Sequence, residues 1–477
     1  MSTTHLLSPY RASGIILAAA LVVGSSPLTA QSTLPPAEYV ELAREIFEEL
    51  IEINTTQSSG NTTIAAEAMA ARLRAEGWDE EDIFVGGPIP TKGNLVARYR
   101  GRGVGHPLLL LAHIDVVEAD PADWNLDPFT FIEQDDYYYA RGVTDDKDEA
   151  AVYIANFIRM KREGFVPNRD LIVALTADEE GGGSNGVQWL IANHPDLIDA
   201  EYALNEGGGG SVKDGVRVSN NVQASEKKYL NFTLEATNPG GHSSLPVRKN
   251  AIYDLAAALS AVGEHTFPVM LNEVTRAYFG ATAEIVGGAD GNAMERILED
   301  PEDAGADAIL ASTAGYNSRL RTTCVATLLE GGHAPNALPQ RATANVNCRI
   351  LQEHDPEDVL AALDGVVAPF DVAVTMDGGV TPSPPSPLTE AVLGPIASTT
   401  EDMWPGVPVV PIMSTGATDG LYLRNSGIPV YGVSGMFHDV DDVRAHGQDE
   451  RILIQHFHEG QEFLYRLVKA LAGGGIS

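Results

Sequence analysis

Short apolar runs along the chain alternate with longer stretches in which apolar residues recur every three or four positions. The driest run is Leu108-Leu109-Leu110-Leu111-Ala112, followed by His113-Ile114-Asp115. Four consecutive leucines predict a strand buried on both faces, as in parallel sheets. His113 and Asp115 are two apart and so point the same way on an extended chain. Two more apolar runs, 170–176 and 201–204, end in Asp178-Glu179-Glu180-Gly181-Gly182 and Asn205-Glu206-Gly207. Over 37–52 the spacing of Val40, Ala43, Phe47, Leu50 and Ile51 predicts an amphipathic helix. Asn61 is placed to cap a second helix reaching Glu76 and stopped by Gly77. Residues 94–100 predict a strand and 149–163 a helix, so up to about residue 222 the pattern is α/β, doubly wound or mixed.

The texture changes near Gln223. Leu230, Phe232, Leu234 and Ala236 alternate with polar residues, the mark of a half-exposed strand. Further strands are expected at 322–329, 343–350 and 372–376 and a helix at 355–363, while the acidic, Gly/Ala-rich stretch 265–320 carries no assignment. Residues 223–378 therefore form a smaller α+β unit inserted between 31–222 and 379–477. A proline- and serine-rich segment, 381–387, leads back. A strand at 409–413 contains Pro411, which argues for an edge or irregular position. Another strand is expected at 428–433, and a final helix is expected to open at 445–450 and run to about 471.

Residues 1–30 have one charged side chain, Arg11, an apolar core at 14–23 and a small-residue end at Ala30. That core is too short to cross a bilayer and reads as a signal peptide, with an exported (periplasmic or secreted) chain starting near Gln31. A retained N-terminal anchor is the lesser alternative. The 477 residues exceed one ordinary domain, and 44% apolar content allows large cores. A formal net charge of −35 repels nucleic acid and anionic membranes. Of the two cysteines, Cys324 and Cys348, sequence leaves open whether they pair or sit apart.

His113, Asp145, Glu180 and Glu206 each follow an apolar run or precede a helix, and His446 lies near the end of the chain. Two histidines and three carboxylates suit two zinc ions, with Co2+ or Mn2+ as substitutes. Two metals about 3.5–4 Å apart polarise a carbonyl and supply hydroxide at neutral pH. Glu179, beside one ligand, is the candidate general base.

The ordered motifs His113-x-Asp115, Arg141-Gly142-x-x-Asp145, Asp178-Glu179-Glu180-Gly181-Gly182, Asn205-Glu206-Gly207, Gly240-Gly241-His242-Ser243 and His446-Gly447-x-x-Glu450 resemble one family. It is the di-zinc metallopeptidase family of carboxypeptidase S, aminoacylases, carnosine dipeptidases and succinyl-diaminopimelate desuccinylase. The resemblance implies a catalytic α/β domain with a mixed sheet flanked by helices, interrupted by a lid that often dimerises. It implies that Asp145 bridges two zincs, that His113 and Glu180 bind different ones, and that Glu206 joins one and His446 the other. Asp115 would orient His113 with its carboxylate, and a cis peptide would follow Asp145. His242 would polarise the oxyanion, Asn336 would hydrogen-bond substrate and Arg349 would hold a free carboxylate. Asp148-Glu149 depart from the glycines many relatives have after the lysine of this motif.

The expected activity is hydrolysis of an amide or peptide bond beside a free carboxylate, by a metal-bridging hydroxide with Glu179 as base. Carboxypeptidase, dipeptidase and N-acyl-amino-acid hydrolase all remain open, with the carboxypeptidase S and N-fatty-acyl-amino-acid hydrolase branch nearest. The substrate would be a small peptide or N-acyl amino acid and the assembly a homodimer through the lid. The rival is an exported, non-catalytic metal- or peptide-binding protein on the same fold.

Overall fold

A computed structural model describes residues 32–476; the expected signal peptide and its cleavage point lie outside them. Among the described residues, ten strands form one mixed sheet. Its order is Ile83–Gly86, Asn94–Tyr99, Leu171–Thr176, Leu108–His113, Tyr202–Asn205, Val430–Gly432, Val216–Glu226, Gly209–Lys213 and Phe437–Asp439. Val409–Ser414 runs parallel to Val216–Glu226. Leu108–His113 is parallel to both of its neighbours, Leu171–Thr176 and Tyr202–Asn205, and all three are buried throughout. Along it Leu108, Leu110 and Ala112 enter one core and Leu109 and Leu111 the other. The first core is shared with the helices Ala37–Glu52, Thr62–Ala75, Lys147–Arg162 and Ile454–Ala472, and the second with Gly186–Asn193 and Gly420–Asn425. Because the three strands are parallel, their carboxyl ends open at one edge, where α/β sheets build sites.

Asn61 does cap the second helix, accepting from the backbone N–H groups of Thr63 and Ile64, and Gly77 follows with φ +81°. Pro411 sits in a strand that is paired on one side only. The helix Glu273–Val286 packs against that strand. It belongs to the stretch without an assignment, which is helical: Glu273–Val286, Gly288–Glu299, Ala304–Leu310 and Ala314–Leu320 share a core around Phe279, Met294, Ile297 and Leu320.

The chain passes from Val216–Glu226 directly into a second, antiparallel sheet, ordered Thr323–Gly331, Arg341–Ile350, Lys228–Thr237 and Val372–Asp377. Its buried side chains meet the helices Ala251–Glu264 and Pro356–Val367 on one face. Cys324 and Cys348 are directly opposite on neighbouring strands and form a disulfide.

The last helix begins at Ile454, not at 445–450. A strand, Arg451–Leu453, comes first and pairs with Tyr137–Tyr139. That strand in turn pairs with Ile132–Gln134 through a two-residue turn, Asp135-Asp136, with both φ positive. Residues 445–450 are thereby held as a turn beside the segment that carries Asp145. Among the described residues no helix is long and apolar enough to cross a membrane.

Candidate active site

His113 ends its strand nearly fully buried. Its Nε2 lies 2.9 Å from Asp145 Oδ1, and its Nδ1 lies 3.0 Å from the main-chain carbonyl of Asp115. An imidazole that donates one N–H to a fixed carbonyl presents its other nitrogen in a set orientation. Asp115 thus orients His113 through its backbone. Its carboxylate is 3.6 Å from Nδ1 and accepts the N–H groups of Glu179 and Glu180, both at 3.1 Å. One residue therefore ties the histidine to the acidic turn.

Asp145 precedes the helix Lys147–Arg162, and the Asp145–Asp146 peptide is cis. The other Asp145 oxygen lies 2.9 Å from His446 Nε2, which is also 2.9 Å from Glu180 Oε1. Asp145 is therefore shared by the two imidazoles. His113, Asp145 and Glu180 offer ligand atoms within 4.8 Å of one another, as do His113, Glu179 and Glu206. All five expected ligands and Glu179 thus gather at the carboxyl end of the sheet. Their nitrogen and carboxylate oxygen donors suit zinc.

Carboxylates outnumber imidazoles here, and the electrostatics reflect it. Burial favours the neutral form of Asp145, but hydrogen bonds from His113 and His446 outweigh it and hold the acid well below its usual range. Hydrogen bonds to Asp145 and Glu180 push His446 up to about 10. Burial and the nearby charges of Asp419 and Glu180 lift Glu179 to about 8, against the pull of His113. Burial likewise raises Glu206, with Glu179 and Asp145 adding to the shift. Such surplus negative charge is relieved by protons or by bound cations.

A buried ion pair brings His446 to the site. Arg141 Nη1 lies 2.6 Å from Glu450 Oε2, and Arg141 Nη2 donates to the Gly447 carbonyl at 3.0 Å. Glu450 Oε1 accepts the Thr144 N–H and hydroxyl at 2.8 and 2.9 Å. The Asp145 turn and the His446 turn are therefore one unit. Sequence reasoning included Arg141 and Glu450 in motifs without giving either a role. It missed Asp419, whose Oδ1 accepts from Asn185 at 2.6 Å while Asn185 also donates to the Asp178 carbonyl at 3.2 Å. The Thr418-Asp419-Gly420 turn after an apolar strand was the available signal. Asp148 and Glu149 are buried in the first helical turn, where Glu149 accepts from Tyr153 at 2.9 Å.

Of the other three candidates, Arg349 lies on the second sheet and His242 and Asn336 lie at a separate two-stranded pairing. His242 and Asn336 lie on adjoining loops, with Gly241–His242 paired to Ala337–Leu338 and the Ser243 N–H donating to the Asn336 carbonyl at 3.0 Å. His242 is exposed, and its Nδ1 accepts from the Ser244 N–H at 3.1 Å. Among the described residues no hydrogen bond or ion pair joins His242 or Asn336 to the His113–Asp145 cluster. Arg349 reaches across to the central sheet, where its Nη1 is 3.5 Å from the Thr415 carbonyl.

The family model for peptidase family M20/M25/M40 matches residues 109–470. The chain belongs to this family. An N-fatty-acyl-amino acid synthase/hydrolase of Xenopus tropicalis is 30% identical over 72% of this chain and 69% of its own. A probable carboxypeptidase S-like protein of Dictyostelium discoideum is 28% identical over 76% of this chain and 71% of its own. An M20 family metallo-carboxypeptidase from Sulfolobus solfataricus matches the fold with TM-score 0.65 at 20% identity, covering 90% of this chain and 99% of that one. Human carnosine dipeptidase 1 matches with TM-score 0.61 at 15% identity over 92% and 99%. This M20 chain is a hydrolytic metallopeptidase with the mixed α/β fold of its relatives, and its gathered histidines and carboxylates could hold metal.

Proposed function

We propose that this peptidase hydrolyses an amide or peptide bond next to a free carboxylate, with two divalent cations, zinc by preference. The observation that carries the reading is Asp145, set between His113 and His446 with one oxygen toward each. His113 and Glu206 would hold one cation, Glu180 and His446 the other, and Asp145 both. When bound, the ions would polarise the scissile carbonyl and acidify the attacking water.

Glu179 would take the proton from that water and pass it to the leaving amine. A carboxylate held beside the cation ligands without itself being assigned as one can both accept and return a proton. Asp115 would keep the Glu179–Glu180 turn in register by its two amide contacts. His242 would stabilise the oxyanion, Asn336 would bind the substrate backbone and Arg349 would grip the carboxylate in a bidentate pair. Residues 223–378 would act as a lid and as the dimer contact of an exported enzyme. Relatives named N-fatty-acyl-amino acid synthase/hydrolase and carboxypeptidase S-like support N-acyl amino acids and small peptides as the substrate classes.

Glu179→Gln tests the central step. The amide keeps the shape but cannot accept a proton, so metal content should persist while turnover falls roughly 10²–10⁴-fold. Full turnover with metals retained would remove Glu179 from the role.

A further inference from the structure

The face of the second sheet opposite its helices carries a row of polar side chains on its two central strands, and one line of their hydrogen bonds leads to Tyr229. Asn345 and Asn347 both donate to Asn231 Oδ1, at 3.4 and 2.9 Å. Two donors on one oxygen fix the orientation of the Asn231 amide. Its Nδ2 then donates to the Tyr229 hydroxyl oxygen at 3.1 Å. Among the described residues the Tyr229 hydroxyl proton has no protein acceptor and the side chain is exposed, so the chain of bonds ends on a donor open to solvent or to a ligand. A donor whose acceptor side is already occupied is polarised toward giving its proton.

That donor stands beside a cation. Tyr229 is paired across the strands with Arg349, and the Arg349 guanidinium lies 4.8 Å from the centre of the Tyr229 ring. The aromatic face fixes the plane of the guanidinium. Its Nη1 is turned to the Thr415 carbonyl, and its remaining N–H groups are left for a ligand. Tyr229, stacked on Arg349, also lines a cavity of about 290 Å3 together with Lys227, Ala417, Leu421 and Tyr422. Tyr422 of this lining donates its N–H to the Asp419 carbonyl, and Asp419 is joined through Asn185 to the Asp178 carbonyl, next to Glu179.

We propose that Tyr229 is a specificity-determining residue of the carboxylate subsite, its hydroxyl donating to the substrate carboxylate held by Arg349. The inference rests on the proposed hydrolysis beside a free carboxylate and names a second group that recognises it. Half-exposed tyrosines on sheets commonly serve only as packing, but phenylalanine would provide the same platform for Arg349. The hydroxyl and its directed partner Asn231 are what a platform does not need.

The experiment compares Tyr229→Phe with the metal-loaded wild type on a panel of N-acyl amino acids and dipeptides, each with its C-terminal amide. The readout is the ratio of kcat/KM for the free acid to that for the amide. A hydrogen bond to a charged group makes the ratio fall roughly 10-fold to 100-fold in Tyr229→Phe, with the loss mainly in KM. Asn231→Ala, which frees the hydroxyl to turn, lowers the ratio by less. If the wild type favours free acids and Tyr229→Phe keeps that preference in full, the proposal is overturned while the carboxylate reading stands. If the wild type shows no preference for free acids, both fall.

Discussion

At the scale of single residues, the site depends on charges that sit close together out of water. Arg141 and Glu450 are both nearly fully buried as a pair. Removing one partner of such a pair leaves an unpaired buried charge and costs about 3–5 kcal/mol. Glu450→Ala should therefore lower stability by that amount in denaturant unfolding. It should also lose metal, because the pair joins the Asp145 and His446 turns. A variant with full metal content would show the turns to be held by other contacts. His446 adds a pH dependence. In the metal-free protein its partners raise it from 6.5 to about 10. The stabilisation is fully present below about pH 6.5 and is lost as pH rises through the folded value. Glu179, raised from 4.5 to about 8, acts in the same direction, since the folded state keeps a proton that the unfolded state has lost. The unfolding midpoint of metal-stripped protein should fall from pH 6 to pH 9, and zinc should oppose the fall. A flat profile would contradict both assignments.

At the scale of elements, the second sheet is small, and one of its outer strands, Thr323–Gly331, is largely exposed. The Cys324–Cys348 disulfide fastens that strand to its neighbour. A cross-link of this kind contributes about 2–4 kcal/mol. Replacing both cysteines with serine should lower stability by about that much and make Thr323–Gly331 exchange its amide protons faster. Unaltered exchange there would mean that the ladder alone holds the strand. Elements with a strong local signal were readable: the leucine run, the Asn61 cap and the one-sided pairing around Pro411 all follow from side-chain type. The four helices between 273 and 320 were not, because their few apolar residues are divided among short segments that bury them only together. The final helix was placed too early because its turn-like start, 445–450, is set by pairing of Arg451–Leu453 with a distant strand.

At the scale of the whole molecule, the proposed catalytic groups come from separate parts of the fold. His113 ends a strand of the central sheet, Glu180 and Glu206 follow two others, and Asp145 and His446 sit on turns bonded to them. Arg349 lies on the second sheet, and His242 and Asn336 lie at the separate two-stranded pairing of Gly241–His242 with Ala337–Leu338. In the proposed reaction the exposed His242 would reach substrate by closure of residues 223–378 or from a neighbouring subunit. His242→Ala should reduce kcat strongly with little loss of zinc, since the residue would act on the transition state. Mixing His113→Ala with His242→Ala chains, each inactive alone, should restore part of the activity if dimers share this histidine. No recovery, with subunit exchange demonstrated, would assign His242 to its own chain.

The amino-acid sequence by itself determined the strands that end at the site, the residue types gathered there and the family. Those signals are local: a buried strand is written in its apolar run, and His113, Glu180 and Glu206 stand at the ends of such runs. The family likeness also carried the cis peptide after Asp145, which the structure contains. Only the tertiary structure decided how the candidate ligands are held. Arg141 meets Glu450 across 309 positions, Asp115 spends its carboxylate on two amides, and Tyr229 acquires its direction from asparagines on a neighbouring strand. A hydrogen bond depends on distance and angle between atoms, and residues far apart in sequence acquire those only when the chain has folded.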